Sequence, residues 1–200
     1  MPGQARFVLA SASPRRRDLL AQIGRVPDAV IEPSIDESVP SRELPRDYAA
    51  RLAREKCLAV ATRPEAAGAV VLAADTVVAC GRRILPKAED AATTRKCLAL
   101  LSGRRHRVIG GICVRAASGR LLERIVTTSV AFARLTDADI DAYVASGEWQ
   151  GKAGGYAIQG RAAVFVRAIN GSYSNVVGLS LFEAERLLAS AGLGAPGDAL

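Results

Sequence analysis

Histidine is nearly missing from this 200-residue chain: His106 is the single one. One imidazole cannot build a histidine-rich metal site, and it argues against a Ser-His-Asp triad. Aromatic residues make up only 4% of the chain, and no cluster of Phe, Tyr and Arg offers the stacking platform that single-strand binders use. The four cysteines, Cys57, Cys80, Cys97 and Cys113, stand far apart with no C-x-x-C pair. They read as buried free thiols, not as a zinc knuckle or a redox motif. No apolar run approaches the roughly 20 residues that span a bilayer. The lone Arg6 ahead of a brief apolar run is not signal-peptide architecture, so the expectation is a cytoplasmic protein with no membrane partner. No G-x-x-x-x-G-K-[ST] occurs, which excludes a P-loop. Catalysis, if any, must rest on carboxylates, lysines, arginines and a hard cation.

What is present suits a soluble α/β core. Half of the residues are hydrophobic and 24% are charged, enough for one well-filled core or two small lobes sharing a cleft. The net charge is +7, carried mostly by arginine, with Lys56, Lys87, Lys96 and Lys152 as the only lysines. Such a surface fits a polyanion, and charge alone does not choose between nucleic acid and a free nucleotide.

The opening stretch looks like half of an active site. Residues 7–9 read as a short buried strand, Ser13 stands at an N-cap position and Pro14 at the first helical position. Leu19, Leu20 and Ile23 form an apolar helical face that Gly24 ends. Arg15, Arg16 and Arg17 fall in the first turn, where each opposes the helix dipole at a cost of ~0.3–1 kcal/mol. An anion held there would account for them; so would simple solvation on a basic protein.

A short strand at 29–31 leads into a proline-bounded loop, 33–40, holding Asp36 and Glu37. These carboxylates read either as turn residues or as ligands for Mg²⁺. A helix spans 45–62, and its pattern alone leaves Lys56 in solvent. Residues 69–80 form the most apolar run, a central strand interrupted by Asp75 and Thr76. A carboxylate in a core strand is costly unless paired or coordinated, which points to function; a bulge or strand end would open it to a pocket. Lys87 precedes a helix ending near Ser102, and a hairpin turns at Ser118-Gly119 between strands 106–115 and 121–134, with His106 a strand or rim residue. Thr136 and Asp139 suggest a capping box for a helix ended by Gly147. Five glycines between 147 and 160, with Lys152, Tyr156 and Gln159 among them, describe a binding loop. A strand over 162–169, a turn over 170–175, a helix over 181–191 and a frayed tail, 192–200, complete a single domain.

Together these pieces resemble the Maf family of nucleoside triphosphate pyrophosphatases, also called septum formation inhibitor proteins. The resemblance covers nearly the whole chain and rests on ordered motifs: S-A-S-P-R-R at 11–16, I-D-E at 35–37, A-D-T at 74–76 and G-K-A-G-G-Y-A-I-Q-G at 151–160, supported by G-S-Y-S-N-V-V-G at 171–178. It implies a mixed twisted sheet with flanking helices and two lobes around a cleft, similar to inosine-triphosphate pyrophosphatases. It implies hydrolysis of a nucleoside triphosphate to the monophosphate and pyrophosphate with Mg²⁺ or Mn²⁺, and a homodimer, since dimers are common in the family. The acidic pair Glu37 and Asp75 speaks against a nucleic-acid binder. By position, Asp75 would be the proton acceptor; Arg15, Thr76 and Gln159 would select the base; Ser11, Arg16, Lys56 and Lys87 would hold phosphates; Glu37 with Asp75 would hold the metal. Gln159 offers both a donor and an acceptor, as the N3–H and carbonyl edge of uracil or thymine requires. With Thr76 it resembles the dTTP/UTP subgroup, not the 7-methyl-GTP subgroup. A nucleotide-sensing regulator of septum formation, with little turnover, is the alternative that the family name carries.

Overall fold

The computed structural model describes residues 5–40 and 42–194. The chain runs β1 (Phe7–Ala10), α1 (Pro14–Gln22), β2 (Ala29–Ile31), α2 (Pro45–Ala61), β3 (Val70–Cys80), β4 (Arg83–Leu85), β5 (Lys87–Ala88), α3 (Ala91–Leu101), β6 (Arg105–Arg115), β7 (Leu121–Phe132), α4 (Asp137–Ser146), β8 (Lys152–Ala153), β9 (Val166–Asn170), α5 (Tyr173–Val177) and α6 (Leu181–Ser190). The main sheet has the order β2-β1-β3-β6-β7-β9, with β4 also paired to β3. β1 is parallel to β2 and β3, and the remaining pairings are antiparallel, so the sheet is mixed as expected. The short pair β5–β8 forms a second, small sheet.

Alternation along β3 sorts the core into two layers. Val71 and Ala73 pack with Ala53, Cys57 and Val60 of α2, and Val77 and Ala79 with Leu52. Leu72, Ala74 and Val78 face the other way, into the larger cluster with Leu98, Leu101, Leu187 and Leu188. Asp75 therefore falls on the α2 side and Thr76 on the opposite side.

Neither the bulge nor the strand end expected at Asp75-Thr76 is present. β3 pairs with β6 in unbroken register from Val71 to Ala79. What opens the site is the other edge of β3. There β1 covers Val70–Ala73 and β4 covers Val78–Cys80, leaving residues 74–77 unpaired between them. The chain leaves the sheet at Ser11, and the cleft occupies the gap.

Two adjacent glycines in β6 let helices close on this point. Gly110 is opposite Thr76 and Gly111 opposite Asp75. A Cβ on Gly111 would overlap the Ala49 carbonyl of α2, so glycine is what brings that helix down onto the sheet.

Several local expectations need correction. Ser13 precedes α1, but its hydroxyl makes no cap bond. The segment expected as a strand from 162 begins as a 3₁₀ turn, Arg161–Phe165, before β9. The turn read over 170–175 contains the start of α5, capped by the Ser172 hydroxyl accepting from the Asn175 N–H at 3.1 Å. The capping box at Thr136 and Asp139 is present. Leu193 is buried, and the Gly194 carbonyl accepts from Arg25 Nη1 at 2.5 Å; residues 195–200 of the tail lie outside the described residues. Cys57, Cys97 and Cys113 are buried, and all four cysteines are free. No helix among the described residues is long and apolar enough to cross a membrane.

Candidate functional site

A cavity of about 340 Å³ fills the gap at the edge of β3. Every residue proposed from the sequence lines it: Ser11, Arg15, Arg16, Glu37, Lys56, Asp75, Thr76, Lys87 and Gln159. They arrive from six separate stretches of chain.

The floor is a chain of alternating charges. Lys56 is not the solvent-exposed lysine expected: it is 6% exposed, because it lies on the same face of α2 as the buried Ala49, Leu52, Ala53 and Val60. Its Nζ lies 2.6 Å from Asp75 Oδ1 and 2.7 Å from Glu37 Oε1. Lys87 Nζ meets the other oxygen of Glu37 at 2.5 Å. Asp75 is 5% exposed, so its partner is what makes its burial tolerable. Burial alone would raise the Glu37 carboxyl, but hydrogen bonds from Lys56 and Lys87 outweigh it and bring it down to about 2. The neighbouring carboxylates of the 33–40 loop divide their tasks. Asp36 accepts from the Ser38 N–H and hydroxyl and serves the turn, whereas Glu37 faces the cleft. Tyr48 of α2 holds that loop through a 2.7 Å bond to the Glu37 carbonyl.

The opposite wall is made by the arginines of α1. Arg16 is 9% exposed. Its Nε donates to the Gly178 carbonyl at 2.9 Å, Nη1 to Ser11 Oγ at 3.2 Å and Nη2 to Thr76 Oγ1 at 3.2 Å. Arg15 Nε donates to the Val177 carbonyl at 3.3 Å. Burial lowers the pKa of both guanidinium groups, each held by neutral acceptors. Arg17 points outward beside Asp18, so the three arginines of the first turn are not equivalent.

The third wall is the glycine-rich loop. The Ala157 N–H donates to the Tyr143 hydroxyl at 3.0 Å and the Arg161 N–H to Glu148 Oε2 at 2.7 Å, bracketing the exposed Gln159 at the cavity rim. Tyr156 and Ile158 are buried, which explains two large apolar residues in a loop. Lys152 also lines the cavity and escaped the list drawn from motifs; burial and then the nearby Arg15 lower its pKa. Its position in the loop between two glycines was the signal available in the sequence.

His106 takes no direct part. It is 2% exposed, shares a 2.8 Å hydrogen bond with the Tyr156 hydroxyl and stacks edge-on with Phe132. Burial pushes its pKa from 6.5 down to about 4. Between those values the unfolded chain binds the proton more readily than the native protein, so stability falls as pH falls. The native advantage of neutral His106 is complete above pH 6.5 and is lost toward pH 4, on the order of 3 kcal/mol. Urea unfolding at stepped pH should show this loss in the wild type and a flatter profile in His106→Gln.

Asp75 and Glu37 supply hard oxygen donors, the set that Mg²⁺ accepts when substrate phosphates complete its coordination. Among the described residues no group of three or more His, Cys, Asp or Glu forms a cage of its own. The donors fit an ion that arrives with a polyphosphate.

Fold and site thus define an α/β protein whose broken sheet edge forms a cleft lined by Arg15, Arg16, Lys56 and Lys87, with a buried carboxylate at its floor. The chain belongs to the Maf-like protein family, whose model matches residues 6–191. It is 66% identical over 182 residues to a dTTP/UTP pyrophosphatase of Paramagnetospirillum magneticum, covering 91% of this chain and 95% of the relative. It is 64% identical over 186 residues to a dTTP/UTP pyrophosphatase of Rhodospirillum rubrum, covering 93% and 88%. Among solved structures it is similar to a HAM1 protein from Coxiella burnetii, with a TM-score of 0.50, 18% identity and coverage of 93% and 99%, a likeness of fold.

Proposed function

We propose that the protein hydrolyses dTTP and UTP to the monophosphate and pyrophosphate. The observation that carries this reading is the charge chain Asp75–Lys56–Glu37–Lys87 on the floor of a cavity that Arg15, Thr76 and Gln159 also line. Its support from outside the structure is the 66% identity to a protein named for that activity.

In the proposed reaction water attacks the α-phosphorus, the bond from that phosphorus to the α–β bridging oxygen breaks, and pyrophosphate leaves. The Asp75 carboxylate takes the proton of the attacking water. Lys56 keeps that carboxylate oriented, and Lys87 and Arg16 offset the charge gathering on the phosphates. Ser11, 3.2 Å from Arg16 Nη1, adds a hydroxyl to the same wall. A Mg²⁺ or Mn²⁺ ion held by Glu37 and Asp75 would neutralise part of the charge on the leaving pyrophosphate. At the other end of the nucleotide, the Gln159 amide can accept from the pyrimidine N3–H and donate to its carbonyl, a pattern that cytosine lacks. Arg15 and Thr76 narrow the choice from the facing wall. The working form in this reading is a cytoplasmic homodimer that leaves nucleic acid alone; light scattering and a salt series with an oligonucleotide check both points.

Pyrophosphate release from dTTP, UTP, CTP, GTP and 7-methyl-GTP, with Mg²⁺ and with Mn²⁺, tests the reading. Turnover of dTTP and UTP above the other three is the expected result. Binding of these two nucleotides without turnover would replace it by the sensor of cell division.

A further inference from the structure

The segment over 171–178 carries none of the chemistry described above, yet three cavity residues hang from its end. The Gly178 carbonyl accepts from Arg16 Nε at 2.9 Å and from Thr76 Oγ1 at 3.3 Å. The carbonyl before it, on Val177, accepts from Arg15 Nε at 3.3 Å. Where the last turn of α5 sits therefore decides where two guanidinium groups and a hydroxyl point.

α5 is only five residues long and has little stability of its own. Its anchor is Asn175, which is 1% exposed. Asn175 Nδ2 lies 3.2 Å from the Val108 carbonyl of β6, 3.4 Å from the Val126 carbonyl of β7 and 3.1 Å from Thr128 Oγ1. Three acceptors around one amide nitrogen fix the side chain's orientation, because the flipped amide would set its oxygen against two carbonyls. The amide oxygen is then left buried without a partner. It lies over Gly110, where a Cβ would overlap it. Burying an orphan acceptor is costly, and shape is what the structure gains from it: a flat amide keyed into the glycine position of β6 that faces α5. Gly110 is in turn the β6 partner of Thr76. Thr128 adds a second tie, accepting from the Ser172 N–H and donating to the Ser172 carbonyl, both at 3.2 Å.

We propose that Asn175 and Gly110 form an interlock that positions Arg15, Arg16 and Thr76 and thereby sets which base the cleft accepts. This rests on the pyrimidine-nucleotide reading above. Asn175 acts through the α5 carbonyls and is a positioning residue. Asp75 faces the other side of the sheet and is untouched by it.

Three variants disturb the interlock differently. Asn175→Ala removes the key, Gly110→Ala fills the slot, and Thr128→Val removes one of three acceptors together with both bonds to Ser172. Measured as kcat/KM for dTTP and UTP against CTP and GTP, selectivity is expected to fall about tenfold in the first two and less in the third. The loss on dTTP should appear in KM and, through the displaced Arg16, in kcat as well, whereas the fall in selectivity should appear in the ratio between bases. Adding Asn175→Ala to Thr76→Val should lower selectivity less than it does in the wild type, since both act through one carbonyl. Thr128→Val keeps the experiment readable if the stronger variants do not fold. Folded variants with a lowered Tm and unchanged selectivity would overturn the interlock and leave Asn175 as a stability residue. Failure of the wild type to turn over dTTP and UTP would overturn the pyrimidine reading instead. In that case calorimetric affinities for the same nucleotides read the interlock, and an unaltered order of preference in the variants would refute it.

Discussion

Asp75→Asn should lower dTTP turnover by roughly a thousandfold, with nucleotide affinity changed only a few-fold. The exchange keeps the shape of the side chain and an oxygen for Lys56, 2.6 Å away, but removes the group that takes the proton. The fold should persist, because the Lys56 ammonium retains Glu37 at 2.7 Å. Single-turnover kinetics separate the two effects: the chemical step should collapse while substrate binding remains. A variant that still released pyrophosphate within tenfold of the wild-type rate would remove Asp75 from the role of base. The proton acceptor would then have to be sought at Glu37, the other carboxylate on Lys56.

Lys56→Met carries the second large effect, on stability as well as on rate. Lys56 is the only cation within salt-bridge distance of Asp75 among the described residues, and Glu37 keeps Lys87 alone once Lys56 is gone. Removing one member of a buried pair costs about 3–5 kcal/mol, because the other charge stays behind. For a chain of this size that corresponds to a fall in Tm of about 10 °C. With Asp75 uncompensated and Glu37 held by Lys87 alone, the two carboxylates facing one cavity should also gain affinity for a divalent cation. Mg²⁺ is therefore expected to raise the Tm of Lys56→Met more than that of the wild type in calorimetry. Equal shifts in both proteins would show that Asp75 and Glu37 do not act together on the ion.

The site residues were legible because their chemistry conflicts with their surroundings. A carboxylate inside an apolar strand, three arginines at a helix start and glycines crowded around Gln159 are each unfavourable without a ligand or a partner. Their order along the chain matched one family's motifs, and that order supplied the roles. Lys56 was harder to read. A lysine on a regular helix looks solvated, but this one falls on the buried face of α2 with Ala49, Leu52, Ala53 and Val60, and that face packs on the side of the sheet that carries Asp75. α5 was missed for a related reason: over Tyr173–Val177 hydroxyl and amide side chains favour turns, and a short helix forms there because Asn175 is fixed by strands far away in sequence.

Composition and local pattern thus determined most of the strands and helices and the inventory of chemistry, since burial of apolar residues at periods of two and near four is a local signal. The tertiary structure decided how Asp75 becomes accessible. No bulge lifts it from the sheet; β1 ends at Ala10, β4 begins pairing only at Val78, and the open edge between them is the cleft. It also decided that Asp75 meets Lys56 on one face while Thr76 meets Arg16 on the other. Those pairings depend on which strands become neighbours and how closely helices approach them, and contacts so distant along the chain leave no periodic trace in it.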